Sequence, residues 1–187
     1  MLKKKSLLFL FAMCLTISVC AQPVDNHKRT FYIVRHAEKD TGSNPAISAL
    51  GKMRAADLFR ELENKRIDLI MVTNYRRTGM TGDSLRIYKK IDTMHYAADV
   101  SGEMFLKKLS TLPARYKNIL VIGHSNTLSG IIRQAGAKDY SAKDIPDNEY
   151  DNLFIVNRKR RKVVLQSKKY GLPSLPTASD LRMNISQ

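Results

Sequence analysis

Three short apolar runs, each spilling into polar residues, set the strongest constraint on this chain. Phe31-Tyr32-Ile33-Val34 runs into Arg35-His36. Ile67 to Val72 runs into Thr73-Asn74-Tyr75-Arg76-Arg77-Thr78. Ile119 to Ile122 runs into Gly123-His124-Ser125-Asn126-Thr127. Short runs rich in β-branched and aromatic residues read as buried strands. Each is followed by a helical pattern or by a loop leading to one. Ala55, Leu58, Phe59 and Leu62 fall on one helical face, with Ser48 placed as the N-cap. Leu128, Ile131, Ile132 and Ala135 repeat that spacing. A helix through Met80, Ile87 and Ile91 is expected between them, and another carrying Phe105, Leu109 and Leu112, closed by Pro113. Strands alternating with helices predict an α/β fold: a three-layer α/β/α sandwich around a mostly parallel sheet.

The second half of the chain adds an edge. Leu153 to Val156 and Val163 to Gln166 read as the arms of an antiparallel hairpin. Arg158-Lys159-Arg160-Arg161-Lys162 is then its solvated tip. Residues 92–102 have no clear period, and residues 136–149 read as a polar, acidic-leaning loop. Residues 171–187, with Pro173 and Pro176, read as a loosely packed tail.

The first 21 residues read as an address rather than structure. Lys3, Lys4 and Lys5 form a basic start, Leu7 to Val19 an apolar stretch, and Val19-Cys20-Ala21 suits cleavage after Ala21. Export to the periplasm or medium is the expectation, with an uncleaved anchor as the alternative. Residues 22–187 would then be one catalytic domain. Cleavage would remove Cys14 and Cys20, the only cysteines, and with them any disulfide, thiolate nucleophile or Cys-zinc site. The formal charge of +15 favours anionic partners, such as phosphorylated substrates or an acidic envelope surface. Aromatic residues do not interleave with the basic ones, so no nucleic-acid platform is expected. The motifs carry no signal for an oligomeric state.

In one parallel sheet the three polar clusters would meet beyond the carboxyl ends of their strands, where ligands of open α/β sheets bind. The meeting gathers His36, His124, Arg35 and Arg77, with helix N-termini close by. Guanidinium forks match phosphate oxygens, and helix N-termini attract anions. A neutral imidazole is a nucleophile for phosphorus. The expected chemistry is attack by His36 to form a phosphohistidine, which water then hydrolyses. Arg35, Arg77 and His124, if protonated, would carry the charge on the equatorial oxygens. The scheme requires no metal and no cofactor.

These residues resemble the motifs of the histidine phosphatase superfamily, also called phosphoglycerate-mutase-like. Arg35-His36-Ala37-Glu38 resembles its Arg-His-Gly signature. Ile47-Ser48-Ala49-Leu50-Gly51 resembles its Leu-Thr-x-x-Gly helix start. Asp68 through Thr81 resembles its strand followed by Ser-Pro-x-x-Arg-Ala-x-x-Thr, and Val121-Ile122-Gly123-His124 the strand carrying a second histidine. The resemblance implies that His36 is phosphorylated, that Arg35, Arg77 and His124 form the phosphate pocket, and that Ser125 and Asn126 add donors. Arg76 falls on a variable position and receives no role. Ala37 stands for the usual glycine and Asn74 for the usual proline. The family's acidic proton donor has no counterpart in its glycine-flanked setting. Asp99, Glu103, Asp147 and Glu149 are the carboxylates in reach by position. Lack of a strong acid would favour good leaving groups, as in the phosphohistidine-phosphatase branch.

Two other readings use the same residues. Gly123-His124-Ser125-Asn126-Thr127 after a strand is similar to a serine-hydrolase elbow with Ser125 as nucleophile, although Thr127 stands where that motif has glycine. A non-catalytic, anion-binding envelope protein would also use the basic pocket.

Overall fold

A computed structural model describes residues 27–142, 144–160 and 162–174. The expected leader segment and most of the expected tail lie outside the described residues. Among them, ten elements follow in order: β1 (Arg29–Arg35), α1 (Ala49–Leu62), β2 (Leu69–Val72), α2 (Arg76–Lys89), β3 (Thr93–His95), α3 (Glu103–Ser110), β4 (Asn118–Gly123), α4 (Leu128–Ala135), β5 (Asn152–Lys159) and β6 (Lys162–Lys169).

The strands form one sheet in the order β3-β2-β4-β1-β5-β6. The first four are mutually parallel, and β5 and β6 run antiparallel. The strand alternation divides the core in two. Phe31, Ile33, Met71, Ile119 and Val121 point to the side covered by α3 and α4, where Phe105, Leu109, Ile131 and Ile132 meet them. Tyr32, Val34, Ile70, Leu120 and Ile122 point to the other side and pack against Leu58, Leu62 and Leu85 of α1 and α2. The fold is therefore the expected α/β/α sandwich. A strand buried on both faces has no polar alternation, which is why β1, β2 and β4 read as continuous apolar runs.

The structure corrects some details. β3 lies where no period was found: it has three residues, sits on the sheet edge and has no fully buried side chain. α2 ends at Lys89, short of Ile91, and leaves Ile87 64% exposed; its inward face is Thr78, Thr81, Gly82 and Leu85. Gly82 packs closely there: a Cβ would press on the side chains of Ile122 and Ile70. Arg158 is not part of a solvated tip: it is buried, its guanidinium lies over the Phe31 ring, and its Nε–H donates to the His27 carbonyl. The turn of the hairpin lies between Lys159 and Lys162.

Ser48 caps α1 as expected, its hydroxyl accepting the Gly51 N–H at 3.1 Å. Behind it, Arg54 of α1 is 2% exposed and holds both oxygens of Glu38. It also donates to the carbonyls of Tyr170 and Leu172. This buried pair ties the chain leaving β1 to the segment leaving β6.

Candidate active site

Sheet register brings the polar clusters together. Arg35 pairs with Gly123, so His36 and His124 are neighbours where β1 and β4 end. Val72 pairs with Ile122, which sets Thr73 beside the same point. The His36 and His124 ring centres are 5.2 Å apart. They lie in a cavity of about 720 Å³ lined also by Arg35, Arg77, Ser125 and Asn126.

The His36 ring is fixed by its own turn. Nδ1 lies 2.8 Å from the Ala37 carbonyl, a contact that requires the proton on Nδ1 and leaves the lone pair on Nε2. The Ala37 N–H donates to the Thr81 hydroxyl, which itself donates to the Arg77 carbonyl. Thr81 thus joins the turn after the nucleophile candidate to the first turn of α2.

His124 has the opposite tautomer. A terminal N–H of Arg77 donates to its Nδ1 at 3.2 Å, and arginine cannot accept. Its Nε2–H therefore donates to the Thr73 hydroxyl at 3.0 Å. Thr73 and Thr78 hydroxyls lie 3.1 Å apart, and Thr78 donates on to backbone carbonyls. The turn into α4 is held by Thr127, whose hydroxyl accepts the His124 N–H.

Both histidines are neutral. Burial pushes His36 down to about 3, with the charges of Arg35 and Arg77 adding to the effect. Burial and the same two arginines push His124 down to about 4. A protonated His124 is thus not the resting form. The positive charge belongs to Arg35 and Arg77, whose own ionisation burial pushes down from a very high starting value.

The two guanidinium groups are placed differently. Arg35 donates through one terminal nitrogen to the carbonyls of Pro146, Asp147 and Glu149, at 3.1, 2.9 and 3.3 Å. Its plane rests on Tyr150, 4.0 Å from the ring centre, and its other terminal nitrogen lies 3.4 Å from Asp147 Oδ1. Arg77 rests on Tyr75, at 4.3 Å. The Nε–H groups of both arginines are buried without an acceptor. Buried, unpaired donors on two cations in one cavity suit an anion.

The remaining expected residues separate. Ser125 and Asn126 line the cavity, but the Ser125 hydroxyl donates to Asp147 Oδ1 at 2.9 Å. Both nitrogens of His124 are engaged elsewhere, so His124 does not serve Ser125 as a base. Asp99 reaches the cavity while capping α3: its carboxylate accepts the N–H groups of Glu103 and Met104 and the Ser101 hydroxyl. Glu103 does not line the cavity. Glu149 is held by Asn152 and Lys169. Asp147 stands at the mouth with its side chain 90% exposed. Sequence reasoning missed Tyr75, Tyr150 and Asp144 as site residues. Tyr75 adjoins Arg76-Arg77 in the sequence, a signal that was available; Asp144 belongs to a loop without periodicity.

No family model and no curated protein sequence matches the chain. Solved structures do. The α-ribazole phosphatase from Shigella flexneri superposes with a TM-score of 0.57 at 14% identity, over 79% of this chain and 98% of its own. A protein assigned as phosphohistidine phosphatase SixA from Agrobacterium tumefaciens gives 0.54 at 16% identity, over 77% and 98%. A mycobacterial glucosyl-3-phosphoglycerate phosphatase gives 0.54 at 9% identity, over 76% and 98%. This chain has the phosphoglycerate-mutase-like fold that these phosphatases share.

Proposed function

We propose that the protein is a histidine phosphatase that hydrolyses a phosphomonoester or related phosphorylated compound through a phosphohistidine on His36. The observation that carries this is the pairing of a neutral His36, its lone pair on Nε2, with two arginines whose buried Nε–H groups lack acceptors. Nε2 attacks phosphorus, the P–N bond forms, and the bond to the leaving group breaks. The departing oxygen or nitrogen takes its proton from water. Water then attacks the phosphohistidine, the P–N bond breaks, and phosphate leaves with His36 neutral again. In both steps the charge lies on the equatorial oxygens, where Arg35 and Arg77 hold it. The scheme uses no metal.

His124 acts through Arg77. Its neutral Nδ1 accepts from the guanidinium and sets its direction, and Thr73 keeps that tautomer. Ser125 and Asn126 stand at the cavity wall as contacts for substrate. The neighbours' phosphatase names add support. The basic and apolar start of the sequence supports action outside the cytoplasm, on a small or envelope-borne substrate, with the cationic surface drawn to an anionic envelope.

The test is hydrolysis of phenyl phosphate at pH 5–8, with radiolabelled phosphate to trap acid-labile, base-stable label. The wild type turns over and traps label; His36→Ala does neither. Turnover unaffected by His36→Ala excludes the mechanism. Binding of inorganic phosphate without turnover of any phosphorylated compound would instead favour the anion-binding reading.

A further inference from the structure

The cavity changes sign between floor and mouth. On the floor, Arg35 and Arg77 carry two positive charges and both histidines are neutral. One phosphate dianion balances them. At the mouth, the charged side chains among the described residues are Lys39, Asp99, Asp144 and Asp147. The chain has 32 Lys and Arg against 17 Asp and Glu, yet among the described residues this rim has three carboxylates and one ammonium. Beside the polar Ser125 and Asn126, the wall offers two open apolar patches: Tyr75 is 42% and Val100 58% exposed. Gly102 at φ +76° and Gly130 hold the Val100 strip in place, because a Cβ on Gly130 would run into the Val100 carbonyl.

We propose that this rim makes the site selective for monophosphates whose leaving group is uncharged or cationic and presents an apolar face. It turns away leaving groups carrying a second anion, such as another phosphate or a carboxylate. The proposal rests on the phosphatase reading for its floor. Once the dianion has neutralised the arginines, a second anion meets a rim of net negative charge. Coulomb repulsion over the width of the mouth, in a water-like dielectric, amounts to about fivefold to tenfold in rate or affinity. Tyr75 and Val100 offer area for a ring or an alkyl group.

Three compounds with similar leaving groups test it on the whole chain: phenyl phosphate, 4-carboxyphenyl phosphate and 4-(aminomethyl)phenyl phosphate. The expected kcat/KM for the carboxylate is about fivefold to tenfold below that for phenyl phosphate, and the amine equals or exceeds it. Ionic strength of about 0.5 M shrinks the difference by screening. Asp144 is exposed and bonded to nothing in the catalytic floor. Asp144→Lys brings the carboxylate compound to within about twofold of phenyl phosphate, the two being compared in the same variant. Asp144→Asn gives an intermediate value and serves if the lysine variant folds poorly. Equal turnover of the carboxylate and phenyl compounds by the unaltered protein overturns the proposal. So does a discrimination indifferent to both substitutions. If no compound is hydrolysed, the phosphatase reading fails by itself; calorimetric binding of the same three then reads the rim directly, and equal affinities overturn the selectivity.

Discussion

His124 accepts a hydrogen bond from Arg77 on Nδ1, at 3.2 Å, and that contact decides which form of the imidazole the site contains. The other ring nitrogen must then carry the proton, and Thr73 receives it. Thr73→Val removes that acceptor and leaves a buried N–H unpaired, at a cost of about 1–3 kcal/mol. The expected result is a fall in kcat of about tenfold or more with the fold intact. Nitrogen NMR of the histidine ring checks the tautomer independently: the variant loses the clean Nε2–H signature.

The pH dependence follows from the two buried histidines. His36 and His124 are pushed down to about 3 and about 4, so both remain neutral through pH 5–8. Formation of the phosphohistidine in a single turnover should show no histidine titration across that range, only the substrate's own second phosphate ionisation at about 6. An ordinary histidine would lose nucleophile below about 6.5. Stability shows the complementary effect. Unfolded histidines take up protons below about 6.5, while the folded ones do so only near 3 and 4. Stability is therefore full above 6.5 and falls as pH drops toward the folded values. Thermal melts at pH 7, 6 and 5 should decline less in a His36→Ala, His124→Ala double variant.

Arg77→Lys keeps a charge but loses the planar fork. It also loses the N–H that directs His124. The expected loss in kcat/KM is about a hundredfold, carried by kcat as well as KM, because the interaction strengthens as charge moves to the equatorial oxygens. A change confined to KM would mean that Arg77 binds ground state and transition state alike.

Asp147 lies 3.4 Å from the Arg35 guanidinium and so competes with an incoming anion. Asp147→Asn should tighten inhibition by inorganic phosphate by about threefold at low salt, a gain that shrinks as salt is added. The contact is exposed, which keeps the effect small.

Arg54 is buried and pairs with Glu38, whose side chain is 12% exposed, two residues beyond His36. Arg54→Met leaves Glu38 without its partner and frees the carbonyls of Tyr170 and Leu172. Loss of one member of a buried pair costs about 3–5 kcal/mol. Chemical denaturation measures it.

Much of the architecture could be read from the sequence because its central strands are buried on both faces. Phe31 to Val34 and Ile119 to Ile122 have nothing polar to interrupt them, and Ser48 announces its helix. Leu128 to Ala135 carries its face openly. β3 could not be read this way: Thr93-Met94-His95 pairs with one neighbour only and buries little. The inward face of α2 was hidden because Thr78, Thr81 and Gly82 are not apolar, and the pattern pointed to Ile87 instead. In the site, the strand-end residues followed from periodicity and register. The carboxylates did not: whether Asp99 caps a helix or Asp147 faces Arg35 depends on how loops fold back, which no spacing encodes. Arg158 misled for a similar reason, since a run of basic residues does not reveal which member turns inward.

The position of β4 between β1 and β2 has a consequence during synthesis. His36 leaves the ribosome before its neighbour in the sheet, which is made only after some ninety further residues. Until β4 slots in, β1 and β2 have no shared partner, and the arginine of α2 has no imidazole to lean on. A nascent or truncated chain ending before residue 118 therefore contains the nucleophile without a place to hold phosphate. Catalytic competence in a refolding chain should arrive together with burial of the central strand, not ahead of it.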